Sequence, residues 1–187
     1  IVQLDDGALV GAEALLRWQH PERGLLMPDQ FIDSIESIGS VASWVIAEAA
    51  TTTARWRHDH DLDQFTISVN ISAQNLSQPD FVAQVRTALR AGQLEARHLC
   101  LEITERSLVE DLARTGARLQ VLRSVGIRVA IDDFGTGHST LTYLRELPIN
   151  VIKVDRSFVS EVGRHPLADS IIASIPNLAR ELGATCV

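Results

Sequence analysis

Short apolar runs rich in β-branched residues recur along this chain, separated by stretches of helical period at intervals of about 20–32 residues. The strand candidates are Leu9–Leu16, Phe65–Ile71, Leu99–Ile103, Arg128–Ile131, Val151–Val154 and Ala184–Val187. Between them lie helix candidates at Pro28–Ile38, Ser40–His58, Pro79–Arg90, Leu108–Val125 and Leu167–Leu182. Gly92, Gly126 and Gly183 stand just past three of these, where a left-handed residue ends a helix. Pro176 should kink the last helix or mark a first turn. This alternation predicts a parallel sheet with right-handed crossovers. No GxGxxG follows the first strand and no GxxxxGK[ST] occurs, which argues against dinucleotide and P-loop folds. No linker divides the chain, so a single domain over residues 1–187 is expected.

Buried parallel strands ought to read as continuous apolar runs. Here they carry Glu13, Asn70, Glu102, the pair Asp132-Asp133, and Lys153 with Asp155, mostly towards their C-terminal ends. Any one of these could be a helix cap or a turn residue, and Asp133 before Phe134-Gly135 is a good turn former. Recurrence on successive strands asks for more. In a (β/α)8 barrel the C-terminal strand ends meet at the mouth where active sites are built. Carboxylates and an amide gathered there need cations, and all-oxygen ligation suits Mg2+ or Mn2+ rather than zinc. One nearby lysine completes an arrangement used for two-metal phosphodiester hydrolysis.

Composition narrows the partners. A net charge of −7 argues against long nucleic acid, which rewards a basic face. It leaves room for a small phosphorylated ligand, because bound cations invert the local charge. The two cysteines, Cys100 and Cys186, lie in apolar stretches without zinc spacing, so both are expected as reduced core thiols. No apolar run has membrane-spanning length. A cytoplasmic location is expected, either free or as the cytoplasmic part of a membrane-anchored sensor.

Glu13-Ala14-Leu15-Leu16-Arg17-Trp18 resembles the signature of the EAL family of cyclic di-GMP phosphodiesterases. It is followed in order by VNIS at Val69–Ser72, LEITE at Leu101–Glu105, DDFGTG at Asp132–Gly137 and IKVD at Ile152–Asp155. The resemblance implies a TIM-like (β/α)8 barrel of the EAL type that hydrolyses cyclic di-GMP to linear pGpG with Mg2+ or Mn2+ at two sites. By the same resemblance, Glu13, Asn70, Glu102 and Asp132 are metal ligands, and Asp133 holds the second ion. Lys153 positions or activates the attacking water and is catalytic together with Glu13 and Asp133. Arg17 and Leu15 belong to substrate binding, Arg17 as a guanidinium grip on a phosphate. Glu105 steadies the loop after the aspartate pair, and Asp155 supports the site.

The family usually has Tyr-Ser-Ser after the DFGTG turn, whereas this chain has His138-Ser139-Thr140. That loop and the helix after Asp133 carry homodimer contacts in the family, and a sensor or diguanylate cyclase domain can be fused. The family's Tyr-Gln-Pro strand would precede Ile1, and its Glu-Gly-Val-Glu segment, with another metal ligand, would follow Val187. The chain is therefore expected to be an EAL-type domain truncated at both ends, with first and last strands missing and no activity alone. Two other readings keep the acids: a catalytically silent cyclic di-GMP receptor, and a metal-dependent sugar or phosphosugar enzyme on a generic barrel. The second leaves the ordered motifs unexplained.

Overall fold

A computed structural model describes residues 1–35, 40–110, 112–136, 144 and 147–187. The chain divides into two compact units, Ile1–Cys100 and Leu101–Val187. Both are built from strands followed by helices.

In the first unit, strand β1 (Gly11–Ala14) leads to a small antiparallel ribbon of β2 (Trp18–His20) and β3 (Gly24–Leu26). A 3-10 turn at Pro28–Gln30 and helix α1 (Ile32–Ile35) occupy the described part of the helix expected at Pro28–Ile38, whose residues 36–38 lie outside the described residues. Helix α2 (Ser40–His60) then crosses over to β4 (Thr66–Asn70), which pairs with β1 in parallel, Glu13 opposite Ser68. Helices α3 (Ala73–Ser77) and α4 (Phe81–Ala91) follow. On α4, Phe81, Val85, Ala88 and Leu89 are buried, the i, i+4, i+7, i+8 stripe of a helix lying on a core. Ile46, Ala50, Phe65, Ile67 and Val69 complete that core. Ser43 on α2 donates to Gln84 on α4 at 2.6 Å.

Gly126 and Gly183 adopt left-handed conformations, φ 94° and 68°, as their positions past a helix predict. Gly92 does not: its φ is −79°, and the left-handed residue is Gln93 at φ 55°. Gly92 is needed for space instead, since a Cβ there would lie 2.7 Å from Ala50 Cβ and 2.8 Å from the Thr51 nitrogen.

The second unit takes up strand β5 (Leu99–Thr104) at Leu101 and continues with α5 (Glu105–Glu110) and α6 (Leu112–Ser124). Then come β6 (Arg128–Phe134), β7 (Val151–Val154), α7 (Arg156–Ser160), α8 (Pro166–Glu181) and β8 (Thr185–Cys186). Within it the strands lie in the order β5-β6-β7-β8, with β6-β7 and β7-β8 parallel. Leu101, Ile103, Leu119, Leu122, Val129, Ile131 and Ile152 are its buried centre. Helix α8 runs through Pro176 and starts on Pro166 at its first turn. Among the described residues, no helix is long and apolar enough to cross a membrane.

One buried group makes the stability of the first unit pH-dependent. His98 is 3% exposed, its Nδ1 is 2.8 Å from the Phe65 carbonyl oxygen, and its Nε2 has no hydrogen-bond partner among the described residues. Burial pushes its pKa below the ordinary value, opposed by the Phe65 bond, with Arg57 and Arg97 adding to the fall and Glu95 opposing it. The unfolded chain therefore binds a proton near pH 6.5 that the folded chain refuses. Stability contributed by neutral His98 is present above that pH and is lost as pH falls towards the folded value. Thermal unfolding at pH 7.5 and 5.5 should show a larger loss in the wild type than in His98→Asn, whose amide can still donate to Phe65. Equal losses in both proteins would remove His98 from the pH response.

Candidate active site

Parallel register decides which polar residues meet. Glu13 lies opposite Ser68, and Asn70, two residues further on, faces the same side of its strand. The Asn70 amide nitrogen donates to Glu13 Oε1 at 2.7 Å, so the first unit brings two expected ligands into direct contact. Ser72, two residues past Asn70, accepts from the Asn75 backbone N–H and caps α3, with the Asn75 side chain accepting from the Ser72 N–H in return. That reciprocal cap fixes where β4 stops and places Asn70 at the strand end. Leu15 and Arg17 follow Glu13 as exposed residues, and Arg17 Nη1 donates to the Leu16 carbonyl at 2.7 Å.

In the second unit, Ile131 is opposite Ile152, so Asp132 and Lys153 each stand one residue beyond a matched pair and share a face. Lys153 Nζ donates to Glu102 Oε2 at 2.5 Å and to Asp132 Oδ2 at 3.1 Å. Glu102 and Asp132 offer carboxylate oxygens within 4.8 Å of each other. The Glu102 side chain is 1% exposed and the Lys153 side chain 14%. Burial alone would lower the lysine pKa, but the hydrogen bond and charge of Glu102, joined by Asp132, outweigh it and hold the ammonium protonated well above its usual range. Buried Glu102 and partly exposed Asp132 thus already share one cation in this unit.

The aspartate pair lies within β6, beyond the Ile131 end expected for that strand. β6 runs on to Phe134, and its register to β7 shifts between Ile131 and Phe134, which makes Asp132-Asp133 a β-bulge. Asp133 takes φ 54°, an unusual conformation that Asp tolerates better than most residues. A bulge turns a side chain out of strict alternation, and this one sits beside the acidic cluster. Asp132 Oδ1 accepts the Asp133 N–H at 3.0 Å. Beyond the bulge, Glu105, 2% exposed and the first residue of α5, accepts the Gly135 N–H at 2.8 Å.

Asp155 is the helix cap that its position also allowed. It caps α7, accepting the Ser157 N–H at 2.9 Å and the Ser157 hydroxyl. Those hydrogen bonds hold its carboxyl below the usual aspartate range. An Asp followed by a short helical stretch was the available signal for this cap. His138-Ser139-Thr140, and with them the loop expected to mediate dimer contacts, fall outside the described residues.

Parallel strands that carry acids and a lysine towards their C-terminal ends are the pattern of barrel-class α/β proteins. The chain belongs to the EAL domain family, whose pattern it matches over residues 1–187. It is 37% identical over 185 residues to the bifunctional diguanylate cyclase/cyclic di-GMP phosphodiesterase MucR of Pseudomonas aeruginosa, covering 97% of this chain and 27% of that protein. It is 39% identical over 185 residues to the cyclic di-GMP phosphodiesterase NbdA of the same organism, covering 97% and 24%. The solved structure of the P. aeruginosa MucR phosphodiesterase in complex with c-di-GMP superposes with a TM-score of 0.88 at 37% identity, over 96% of this chain and 74% of that one. The fold is accordingly the EAL-type (β/α)8 barrel class. The chain spans roughly a quarter of the length of these two curated relatives.

Proposed function

We propose that this chain is the hydrolytic domain of a cyclic di-GMP phosphodiesterase that works in the cytoplasm and linearises its substrate to pGpG. The observation that carries the reading is the Lys153 ammonium held between Glu102 and Asp132 at adjacent strand ends. The named activities of MucR and NbdA, at 37% and 39% identity, support it.

Glu13, Asn70, Glu102, Asp132 and Asp133 would hold Mg2+ or Mn2+, since every donor they offer is a hard oxygen. When bound, such ions lower the pKa of water and neutralise charge developing on phosphoryl oxygens. The chain's own groups do the rest. Lys153, which donates to Glu102 and Asp132, would orient the attacking water as a hydrogen-bond donor and positive charge. The water oxygen bonds to phosphorus, one P–O3′ bond of the ring breaks, and the products are a free 3′-hydroxyl and a terminal 5′-phosphate. The Arg17 guanidinium takes a non-bridging phosphate oxygen, with Leu15 beside it as an apolar contact. Glu105 holds the Gly135 amide and with it the turn that follows Asp133.

Incubating the full-length protein with cyclic di-GMP and Mn2+, followed by chromatography, tests the reading. Accumulation of pGpG supports it, and binding without turnover would replace it with the receptor reading. Arg17→Ala should raise KM by about 10–100-fold, the weight of a charged hydrogen bond, with a smaller change in kcat. A KM within twofold of wild type would take Arg17 out of the binding site.

A further inference from the structure

We infer that Phe158 is a positioning residue for the turn that carries the aspartate pair. The side chain stands on α7, which Asp155 caps. Its ring lies directly against Gly135: a Cβ at that glycine would be 2.7 Å from Phe158 Cε2 and 3.1 Å from Cζ. Gly135 has φ 102°, so both its backbone conformation and its bare Cα are used.

Three further contacts hold the same turn. Glu105 accepts the Gly135 N–H at 2.8 Å, and the Asp155 N–H reaches the Phe134 carbonyl at 3.4 Å. The Asp133 carbonyl accepts the Thr136 N–H at 3.3 Å and the Thr136 hydroxyl at 2.8 Å. The turn therefore lies between a buried carboxylate and an aromatic ring. Phe158 also follows Lys153 by five residues, across the Asp155 cap. Helix α7 thus couples the strand bearing the lysine to the bulge bearing the aspartates. Because Asp133 is held at φ 54° in that bulge, small movements of the turn would redirect its carboxylate.

An ordinary packing role makes different demands. Phe158 is half-buried, flanked by exposed Arg156, Ser157 and Val159, and is not among the buried hydrophobic residues of the unit. Its contact with Gly135 is with backbone, so loss of the ring should loosen the turn more than the unit.

The catalytic consequence rests on the proposed hydrolase function, whereas the positioning itself does not. The test uses the full-length protein with Phe158→Ala and Phe158→Leu, hydrogen exchange of the peptide covering residues 132–136, Mn2+ binding by calorimetry without substrate, and cyclic di-GMP kinetics. Phe158→Ala should speed exchange in that peptide by about tenfold or more while the rest of the unit stays protected. It should weaken Mn2+ binding and lower kcat by about 10–100-fold with KM within threefold, the pattern of a misplaced group rather than lost binding. Phe158→Leu should recover most of each effect. Unchanged exchange in the turn, exchange raised evenly over the unit, or a raised KM with normal kcat would each overturn the inference. Should the alanine variant fail to fold, Phe158→Val, which removes most of the ring that meets Gly135, decides by the same criteria. A wild type that does not hydrolyse cyclic di-GMP would end the functional reading, and the exchange result would still decide the positioning.

Discussion

Lys153→Met should lower kcat for cyclic di-GMP by about 10²–10³-fold, the usual weight of a preorganised donor lost from an active site, with little change in KM. The methionine keeps most of the length and apolar stem and removes only the donor and its charge. Two separate losses follow from the geometry. The attacking water loses the ammonium that would orient it, and Glu102, whose side chain is 1% exposed, loses the cation 2.5 Å away. The second loss should register without any substrate. Stripping one partner from a buried pair costs on the order of 3–5 kcal/mol, so the metal-free variant should melt well below wild type. Added Mn2+ should recover much of that deficit, because it stabilises the folded state by binding there and supplies the missing positive charge. Kinetics at saturating Mn2+, with melting curves in chelator and in metal, separate the two effects. A normal kcat would remove the lysine from the chemistry, and an unaltered melt in chelator would show that Glu102 does not depend on it.

The strand ends were legible because two simple rules coincide there. Alternation along a strand fixes the face of each polar residue, and parallel pairing aligns like ends. Glu13 with Asn70, and Asp132 with Lys153, could be placed together on those rules alone. The extent of β6 could not. Aspartate is a poor strand residue and a good turn residue, so the sequence stops the strand at Ile131, whereas pairing with β7 carries it to Phe134. A bulge is a property of two strands in register, and one strand's sequence does not display it.

The helices show a related limit. The helix expected from Leu108 begins earlier, at Glu105 directly after β5. No loop residues announce that start, because the last strand residue, Thr104, meets Ser107 through their hydroxyls at 2.9 Å across the junction. The ribbon of β2 and β3 was missed because three-residue strands are too short for alternation to show. Edge-to-face contact of Trp18 with Phe31, centroids 5.7 Å apart, supplies packing that propensity does not register. Gly92 illustrates the reverse case, a residue read correctly as a helix end but for the wrong reason. Its bare Cα lets α4 approach α2, a tertiary demand indistinguishable in sequence from a turn.

Asp132→Asn should abolish hydrolysis more thoroughly than it disturbs the fold, and that separation makes it the sharper test of the acidic site. Asparagine retains an oxygen where Asp132 Oδ1 accepts the Asp133 N–H at 3.0 Å, so the bulge keeps its internal hydrogen bond. What changes is the other half of the group. An amide nitrogen takes the place of Oδ2, which now faces the Lys153 ammonium at 3.1 Å, and a donor meets a donor where an acceptor stood. The cluster also loses a full negative charge, which weakens its hold on a divalent cation and on the lysine together. Turnover should fall by about 10³-fold or more, a barrier increase near 4 kcal/mol that is ordinary for loss of a metal ligand. Mn2+ titration resolves the cause. If weakened affinity dominates, raising Mn2+ should restore a substantial part of kcat. If geometry dominates, kcat stays low once metal saturates. Either result keeps Asp132 among the ligands, and hydrolysis within threefold of wild type at limiting Mn2+ would exclude it.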